Sequence, residues 1–190
     1  PRTIGAILNA KKRGVKVILA TGRRLTNTLP FIHSLGLTEL VVVHNGAVVY
    51  NPVLKQTVWQ QGIELGLAQT IVDKLEALSL NYIVYTGESD GERVVAPQGK
   101  WKEPGDLLTH YLGEDAEFTT QVVLETPPVR ISLIDHWQKV DPFYIELRAK
   151  YEGKLNTMLF GAKRDTWRGI EILPEYANKR TGVAYVAECL

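Results

Sequence analysis

One apolar run near the start of the chain ends abruptly in polar residues, and it constrains the fold more than any other stretch. The run Val17–Ala20 follows Gly14 and stops at Thr21, Gly22 and Arg23. Consecutive apolar residues are typical of a strand buried on both faces, as in a parallel sheet covered by helices. Thr21 then falls at the carboxyl end of that strand, where open α/β sheets bind ligands.

The residue types at this strand end suit a phosphate group. Gly22 lets backbone N–H groups approach an anion, Thr21 adds a hydroxyl donor, and Arg23 offers a planar guanidinium. A strand that ends in Thr-Gly is also common in ordinary βα turns. This stretch alone does not distinguish a phosphate-binding site from an ordinary turn.

Bulk composition places the chain among ordinary globular proteins. Its 190 residues, 45% of them hydrophobic, are enough for one sizeable core or two small domains. The 22 basic and 21 acidic side chains nearly balance, so composition indicates neither nucleic-acid nor membrane partners. A single cysteine, Cys189, excludes an internal disulfide framework and favours the reducing cytoplasm, and four scattered histidines predict no zinc site.

An alternation of helices and strands covers the first fifty residues. We expect a helix over residues 2–13, the strand to Ala20, and a second helix that ends at Gly36. The apolar run Leu40–Val43 predicts the next strand, which ends at Asn45 in His-Asn-Gly-Ala. Right-handed crossovers place both strands side by side in a parallel sheet, so Thr21 and Asn45 are expected at one edge.

The pattern changes after Tyr50 and reverts near Pro174. Strands between these points alternate polar and apolar residues, which is typical of an antiparallel sheet with helices on one face. The prediction is therefore an α/β protein with a parallel-sheet core, residues 1–50 and 175–190, and an inserted α+β domain, residues 51–174. The expected strands of the insert are 56–60, 82–85, 93–96, 122–124, 129–134, 155–160 and 169–173, and the expected helices are 68–78, 104–112 and 143–151.

The last helix carries two cations where they are least expected. Asn178 is a favoured N-cap residue, so Lys179 and Arg180 occupy the first turn of a helix whose apolar side includes Val183 and Val186. The amino terminus of a helix is already electropositive, and each cation there costs about 0.3–1 kcal/mol. A bound anion would offset the repulsion between these cations and the helix terminus. Alternatively, both side chains extend into solvent and the small cost remains.

The order of these pieces resembles the haloacid dehalogenase superfamily, and in particular its Cof-type sugar-phosphate phosphatases. The resemblance rests on Thr21-Gly22-Arg23, on Asn45-Gly46-Ala47, on the insert, and on Ile170–Pro174 leading to Asn178-Lys179. It spans essentially the whole chain, and it implies that the core, residues 1–50 and 175–190, is Rossmann-like and that the insert, residues 51–174, is an α+β cap domain. It implies a cytoplasmic Mg²⁺-dependent phosphatase that acts on a small phosphorylated metabolite through an aspartyl-phosphate intermediate, with the cap as a lid.

The resemblance also assigns roles to individual residues. It implies that Thr21 and Lys179 are catalytic and bind the substrate phosphate, that Gly22 and Arg23 complete the phosphate loop, and that Asn45 lines the site. The chain departs from the family in three places, the smallest of which is Arg180, where relatives generally carry Gly. It contains neither the Asp-x-Asp-Gly sequence that carries the nucleophile nor the late Gly-Asp-x-x-Asn-Asp loop that holds Mg²⁺, so no metal ligand is expected within it.

These departures keep other interpretations open. Both ends of the chain interrupt helical patterns, so we expect a fragment that lacks the nucleophile and is inactive by itself. A non-catalytic phosphosugar-binding or regulatory module is one alternative, and within the family a phosphomutase, which would share the same core residues, is another. A nucleotide-binding Rossmann protein is a third, although the chain has no Gly-x-Gly-x-x-Gly sequence.

Overall fold

A computed structural model describes residues 2–88, 91–99, 115–161 and 166–190. The helices are α1 (Arg2–Lys12), α2 (Leu25–Ser34), α3 (Leu65–Ala77), α4 (Trp137–Lys150) and α5 (Lys179–Glu188), and the strands are β1 (Val41–Val43), β2 (Val48–Asn51), β3 (Gln56–Gln60), β4 (Tyr82–Glu88), β5 (Gly91–Pro97), β6 (Ala116–Thr119), β7 (Pro128–His136), β8 (Leu155–Phe160) and β9 (Trp167–Pro174). They divide into a first unit, Pro1–Gln61 with Ala177–Leu190, and a second unit, Gly62–Tyr176. The chain is thus a mixed α/β protein, as the sequence predicts.

The first unit is built on a three-stranded sheet of order β1-β2-β3, in which both pairs are antiparallel. The predicted strand Val17–Ala20 contributes only an isolated parallel bridge, from Ala20 to Val42. Its four side chains are half-buried, so the expectation of a strand buried on both faces is wrong. Its direction beside β1 agrees with the predicted parallel arrangement, because Thr21 N donates to Val42 O and Val42 N to Leu19 O, both over 2.9 Å.

The boundary between the units differs from the expected one. Strand β3 pairs with β2, with Asn51 opposite Gln56 and Val48 opposite Gln60, so it extends the first sheet instead of opening the insert. The first unit therefore continues to Gln61, whereas the sequence places the boundary after Tyr50. On the other side of the insert, the units divide after Tyr176.

The second unit contains a six-stranded sheet of order β6-β5-β4-β7-β9-β8. All neighbouring strands are antiparallel except β5 and β6, which are parallel. Helices α3 and α4 pack on one face of this sheet. The core between them includes Leu75 of α3, Phe143 of α4, and Tyr82, Leu133 and Ile172 of the strands.

The predicted elements of the insert are confirmed in most places. Helix α4 begins at Trp137, six residues before the predicted Phe143, with His136 as N-cap, and β6 has no counterpart in the prediction. The predicted strand 122–124 is wrong: it is a loop held by the Gln69 side chain, which donates to Val122 O and accepts from Leu124 N. The predicted helix 104–112 lies outside the described residues. In the part of the chain that is described, no helix is long and apolar enough to cross a membrane.

Candidate functional site

Backbone hydrogen bonds fix the loop that begins at Thr21. Thr21 O accepts from Asn45 N over 3.0 Å, and Arg23 O accepts from His44 N over 3.0 Å. The Thr21 hydroxyl accepts from Arg23 N over 3.2 Å, which turns the chain sharply. Thr21, Gly22 and Arg23 are thereby held against the turn that follows β1, and Thr21 and Asn45 lie at one edge of the sheet as the strand pattern predicts.

The turn after β1 has an uncommon backbone conformation. His44, Asn45 and Gly46 have φ values of 48°, 54° and 104°, all in the left-handed region that non-glycine residues rarely adopt. Backbone strain of this kind is concentrated at functional sites, where the surrounding structure holds it in place. Gly22 lies directly over the turn, because a Cβ there would meet Asn45 Oδ1 at 2.5 Å.

The amino terminus of α5 packs on the same turn through glycines. A Cβ on Gly46 would lie 2.0 Å from Asn178 O, so only a glycine allows this approach. A Cβ on Gly182 would lie 2.5 Å from Val42 Cγ1 and 3.3 Å from Gly46 Cα. Residues 21–23, residues 44–46 and the start of α5 therefore form one contiguous site within the first unit.

The capping of α5 confirms the predicted role of Asn178. Its side chain accepts from Thr181 N over 3.0 Å, and Thr181 Oγ1 accepts in turn from Asn178 N over 3.2 Å, which completes a capping box. Lys179 and Arg180 follow as exposed residues, and the first turn has no acidic side chain. The electropositive helix terminus that carries these two cations thus begins beside the Asn45 turn.

A second helix also begins at this site. Arg24 is the N-cap residue of α2, it makes no side-chain capping bond, and the first turn of α2 has no acidic side chain. The Arg23 guanidinium lies 5.1 Å from the centre of the Phe31 ring, so its position is set by a cation–π contact with α2. The structure thus brings Thr21, Gly22, Asn45 and the backbone before Lys179 together, while the Arg23 side chain is directed to α2.

Sequence reasoning missed two buried residues here. Arg24 is 2% exposed and His44 is 1% exposed, although arginine is usually at the surface and histidine is intermediate in its burial. Nothing in the sequence distinguishes Arg24 from its neighbour Arg23. The His-Asn-Gly sequence after an apolar strand was the available sign for His44, because Asn and Gly favour left-handed turns.

Charge is distributed unevenly between the two units. The first unit carries ten basic and two acidic side chains, and the second carries twelve basic and nineteen acidic ones. A positive field of this size favours an anionic ligand in the first unit.

The residues of the site do not fit a magnesium ion. Mg²⁺ prefers carboxylate oxygens, and the acidic residues of the first unit are Glu39 and Glu188, neither of which belongs to the three segments of the site. Across the described residues, no group of three or more His, Cys, Asp or Glu side chains could hold a metal ion.

A family profile described as haloacid dehalogenase-like hydrolase matches residues 1–190. The chain belongs to this family. No curated protein matches the sequence.

Several solved structures share the fold of this chain. A haloacid dehalogenase-like hydrolase from Bacteroides thetaiotaomicron is 15% identical with a TM-score of 0.75, and the match covers 99% of this chain and 69% of that one. A HAD/COF-like hydrolase from Plasmodium vivax is 18% identical with a TM-score of 0.71, covering 98% and 65%. A third structure, described as showing a trigonal-bipyramidal intermediate in a phosphoryl-transfer superfamily, is 13% identical with a TM-score of 0.66, covering 98% and 67%.

Proposed function

We propose that this chain belongs to a Mg²⁺-dependent phosphohydrolase that cleaves small phosphate monoesters, sugar phosphates foremost, through an aspartyl-phosphate intermediate. Within that enzyme, residues 1–190 bind the phosphate group and contain the cap domain. The chain has no Asp-x-Asp-Gly sequence, so the proposal assigns it neither the nucleophile nor the metal ligands. The family and the phosphoryl-transfer chemistry described for one solved structure of similar fold support this reading.

The observation that carries the proposal is the meeting of three chain segments at one site. The backbone of Asn178 packs against Gly46 so closely that no other residue would fit there. Asn45 N donates a hydrogen bond to Thr21 O over 3.0 Å. The amino termini of α2 and α5 both begin here without an acidic side chain in their first turns. Helix termini and cations arranged in this way favour a multiply charged oxyanion.

Each residue has a defined task in this proposal. The Thr21 hydroxyl, whose oxygen accepts from Arg23 N, donates a hydrogen bond to a phosphate oxygen, and Gly22 lets the phosphate approach the backbone of the loop. The Lys179 ammonium group neutralises negative charge on those oxygens, which is the electrostatic contribution that dominates phosphoryl transfer. Asn45 adds its side-chain amide at the edge of the site.

Binding of inorganic phosphate tests the proposal without requiring turnover. Isothermal titration calorimetry of the 190-residue chain should show binding, and Lys179→Ala should weaken it about tenfold, because a hydrogen bond to a charged group contributes about 1.5–3 kcal/mol. Lys12→Ala is the matched control, since Lys12 is an exposed cation of the same unit in α1. It should leave the dissociation constant nearly unchanged.

Two results would count against the proposal. Equal weakening by both variants would show that phosphate responds to net charge alone and that Lys179 has no specific role. Mg²⁺-dependent phosphatase activity of the 190-residue chain by itself would show that the nucleophile lies within these residues, contrary to the proposed division of roles.

A further inference from the structure

Strand β8 forms one edge of the six-stranded sheet, and its sequence lacks the features that normally protect an edge. Among the described residues, no strand pairs with its outer side. Exposed edge strands usually carry charges, prolines or bulges, because their outward N–H and C=O groups otherwise pair with another chain. The sequence of β8 is Leu-Asn-Thr-Met-Leu-Phe, and its register with β9 runs from Leu155 to Phe160 without a bulge. A further strand can therefore pair with it.

The opposite edge of the same sheet is built differently. Strand β6 carries Glu117, whose carboxylate accepts from Arg93 Nε over 2.9 Å and from Arg93 Nη2 over 2.6 Å. Both side chains are about half exposed, so charge accompanies this edge at the surface. Strand β8 has no charged residue, and the two edges thus differ in how they are protected.

A groove of about 560 Å³ lies beside β8 on the side of the sheet that α4 covers. Its walls include Ile145 and Arg148 of α4 and Leu155 and Thr157 of β8. Ile145 is 68% exposed, the highest value among the large hydrophobic side chains of the described residues. An uncharged strand edge and an exposed isoleucine therefore adjoin each other, and contiguous apolar surface of this kind marks an interaction site.

This strand edge is suited to a second copy of itself. Two β8 strands can pair antiparallel about a two-fold axis, which joins the two sheets into one. Residues directly opposite each other share a face of the sheet, so the residue on the axis lies opposite its own copy. The central residues of β8 are Thr157 and Met158, and the axis passes through one of them.

The position of Ile145 along α4 matches that axis. Strands β7 and β8 both run antiparallel to β9, so α4, which joins them, runs back along β8. At about 3.3 Å per strand residue, the centre of β8 lies about 8 Å beyond Leu155. At about 1.5 Å per helix residue, Ile145 lies about 8 Å before Lys150, the last residue of α4. Ile145 is thus level with the axis, where it meets the Ile145 of a second copy.

The strand spacing leaves room for side chains between the two helices. Helix α4 packs mainly over β9. With strands about 4.8 Å apart, the two β9 strands, and hence the two α4 helices, are about 14 Å from each other. Helices in direct contact are about 8–10 Å apart, so large side chains must fill the difference. Ile145 and Arg148 of both copies supply them, since both line the groove.

The charges on α4 fit the same arrangement. Asp141 lies four residues before Ile145 and Arg148 lies three residues after it, so all three share one side of the helix. When two α4 helices run antiparallel about Ile145, Asp141 of each copy is level with Arg148 of the other. The Asp141 side chain contacts Arg168 at 3.1 Å and is still 32% exposed, so a second cation can reach it.

We propose that β8 and the adjoining side of α4 form an interface between two copies of this chain. The two sheets join through antiparallel β8 strands, and Ile145 packs against its own copy between two Asp141–Arg148 ion pairs. The interface is independent of the proposed phosphate site, because all of its residues belong to the second unit.

Sedimentation equilibrium over a range of chain concentrations tests the interface. Wild type should change from a particle of 21.3 kDa to one of twice that mass as the concentration rises. Ile145→Lys places two like charges beside the axis and should raise the dimer dissociation constant at least about tenfold, because central anchor residues dominate interface energies. Val123→Lys is the matched control, since Val123 is 67% exposed in the same unit and does not line the groove.

Thr157→Lys tests the strand pairing separately. Lysine protects natural edge strands, so this variant should also weaken the dimer. Thermal unfolding of the dilute chain should give Ile145→Lys nearly the wild-type midpoint, because Ile145 is exposed in the single chain. In wild type, hydrogen exchange should slow at alternate amides of β8 as the chain concentration rises.

Four results would overturn the proposal. One is the mass of a single chain at every concentration, and another is a dimer that Ile145→Lys and Val123→Lys weaken equally or not at all. Growth beyond two copies is the third, because a two-fold contact closes at two. The fourth is a dimer that Ile145→Lys weakens and Thr157→Lys leaves intact, since the sheets would then not be joined through β8.

Discussion

The two units differ in the size of their hydrophobic cores and in their backbone geometry. Among the described residues, the second unit has a core cluster of sixteen buried side chains, whereas the cluster around the first unit's sheet has three: Val42, Val49 and Val186. The first unit instead holds three consecutive left-handed residues and two close backbone contacts at glycines. The comparison teaches that the candidate phosphate site depends on backbone geometry more than on side-chain burial.

The largest expected effect is that of Gly46→Ala in the first unit. The new Cβ would lie 2.0 Å from Asn178 O, and φ of 104° is strained for alanine, so unfolding free energy should fall by about 4 kcal/mol. Gly5→Ala in α1, where a Cβ meets nothing within 4 Å, should be neutral or stabilising by up to about 1 kcal/mol. Urea unfolding of both variants measures the difference. Equal free energies of unfolding would contradict the claim that the first unit depends on the close backbone contact at Gly46.

Core truncation in the second unit comes next. Leu133→Ala removes a fully buried side chain between the sheet and its helices, and should cost about 3 kcal/mol. Val186→Ala in the smaller cluster of the first unit should cost about 1.5 kcal/mol, because fewer methyl groups are lost. Denaturant unfolding of the two variants measures the loss of unfolding free energy in each unit. A larger loss for Val186→Ala than for Leu133→Ala would contradict the difference between the two cores.

A smaller loss is expected at the start of α5. Asn178→Ala removes the side chain that accepts from Thr181 N, so it should lower stability by about 1 kcal/mol. Asn178→Asp keeps the acceptor and should retain most of the wild-type stability. Thermal unfolding of the two variants provides the measurement, and identical midpoints would show that the capping box contributes nothing.

The smallest effect is a pH dependence in the second unit. Glu64 caps α3 by accepting from Gly66 N and Leu67 N, and these bonds lower the pKa of its carboxyl group. Since the folded pKa is below the unfolded one, the stabilisation is complete above the unfolded pKa and is lost as pH falls through the folded pKa. Unfolding midpoints recorded from neutral to acid pH should therefore fall less for Glu64→Gln than for wild type, and parallel curves would contradict the assignment.

The helices and most strands could be predicted because their signals are local. The apolar run of β1 and the N-cap residue Asn178 are recognisable without any tertiary information. Strand β3 was assigned to the wrong unit because its sequence Gln-Thr-Val-Trp-Gln gives no sign of which sheet it joins. The pairing itself is local, since Asn51 lies opposite Gln56 across a short turn, so Asn51-Pro52 marks a hairpin turn and not the boundary between the units.

The site was predictable in its segments but not in its side chains. The carboxyl end of the Val17–Ala20 run and the start of the last helix indicated where the segments meet. The burial of Arg24 and the direction of Arg23 toward Phe31 follow from packing that no local pattern encodes.

Residue-level mapping of phosphate binding tests the central claim most directly. Two-dimensional NMR of the ¹⁵N-labelled chain, titrated with inorganic phosphate, should shift the amide signals of Gly22, Arg23, Asn45 and Lys179 together along one saturable curve. These amides belong to the three segments that meet at the Gly46 turn. Shifts of the 21–23 loop without those of Lys179, or shifts confined to other parts of the chain, would contradict a single phosphate site built from these segments.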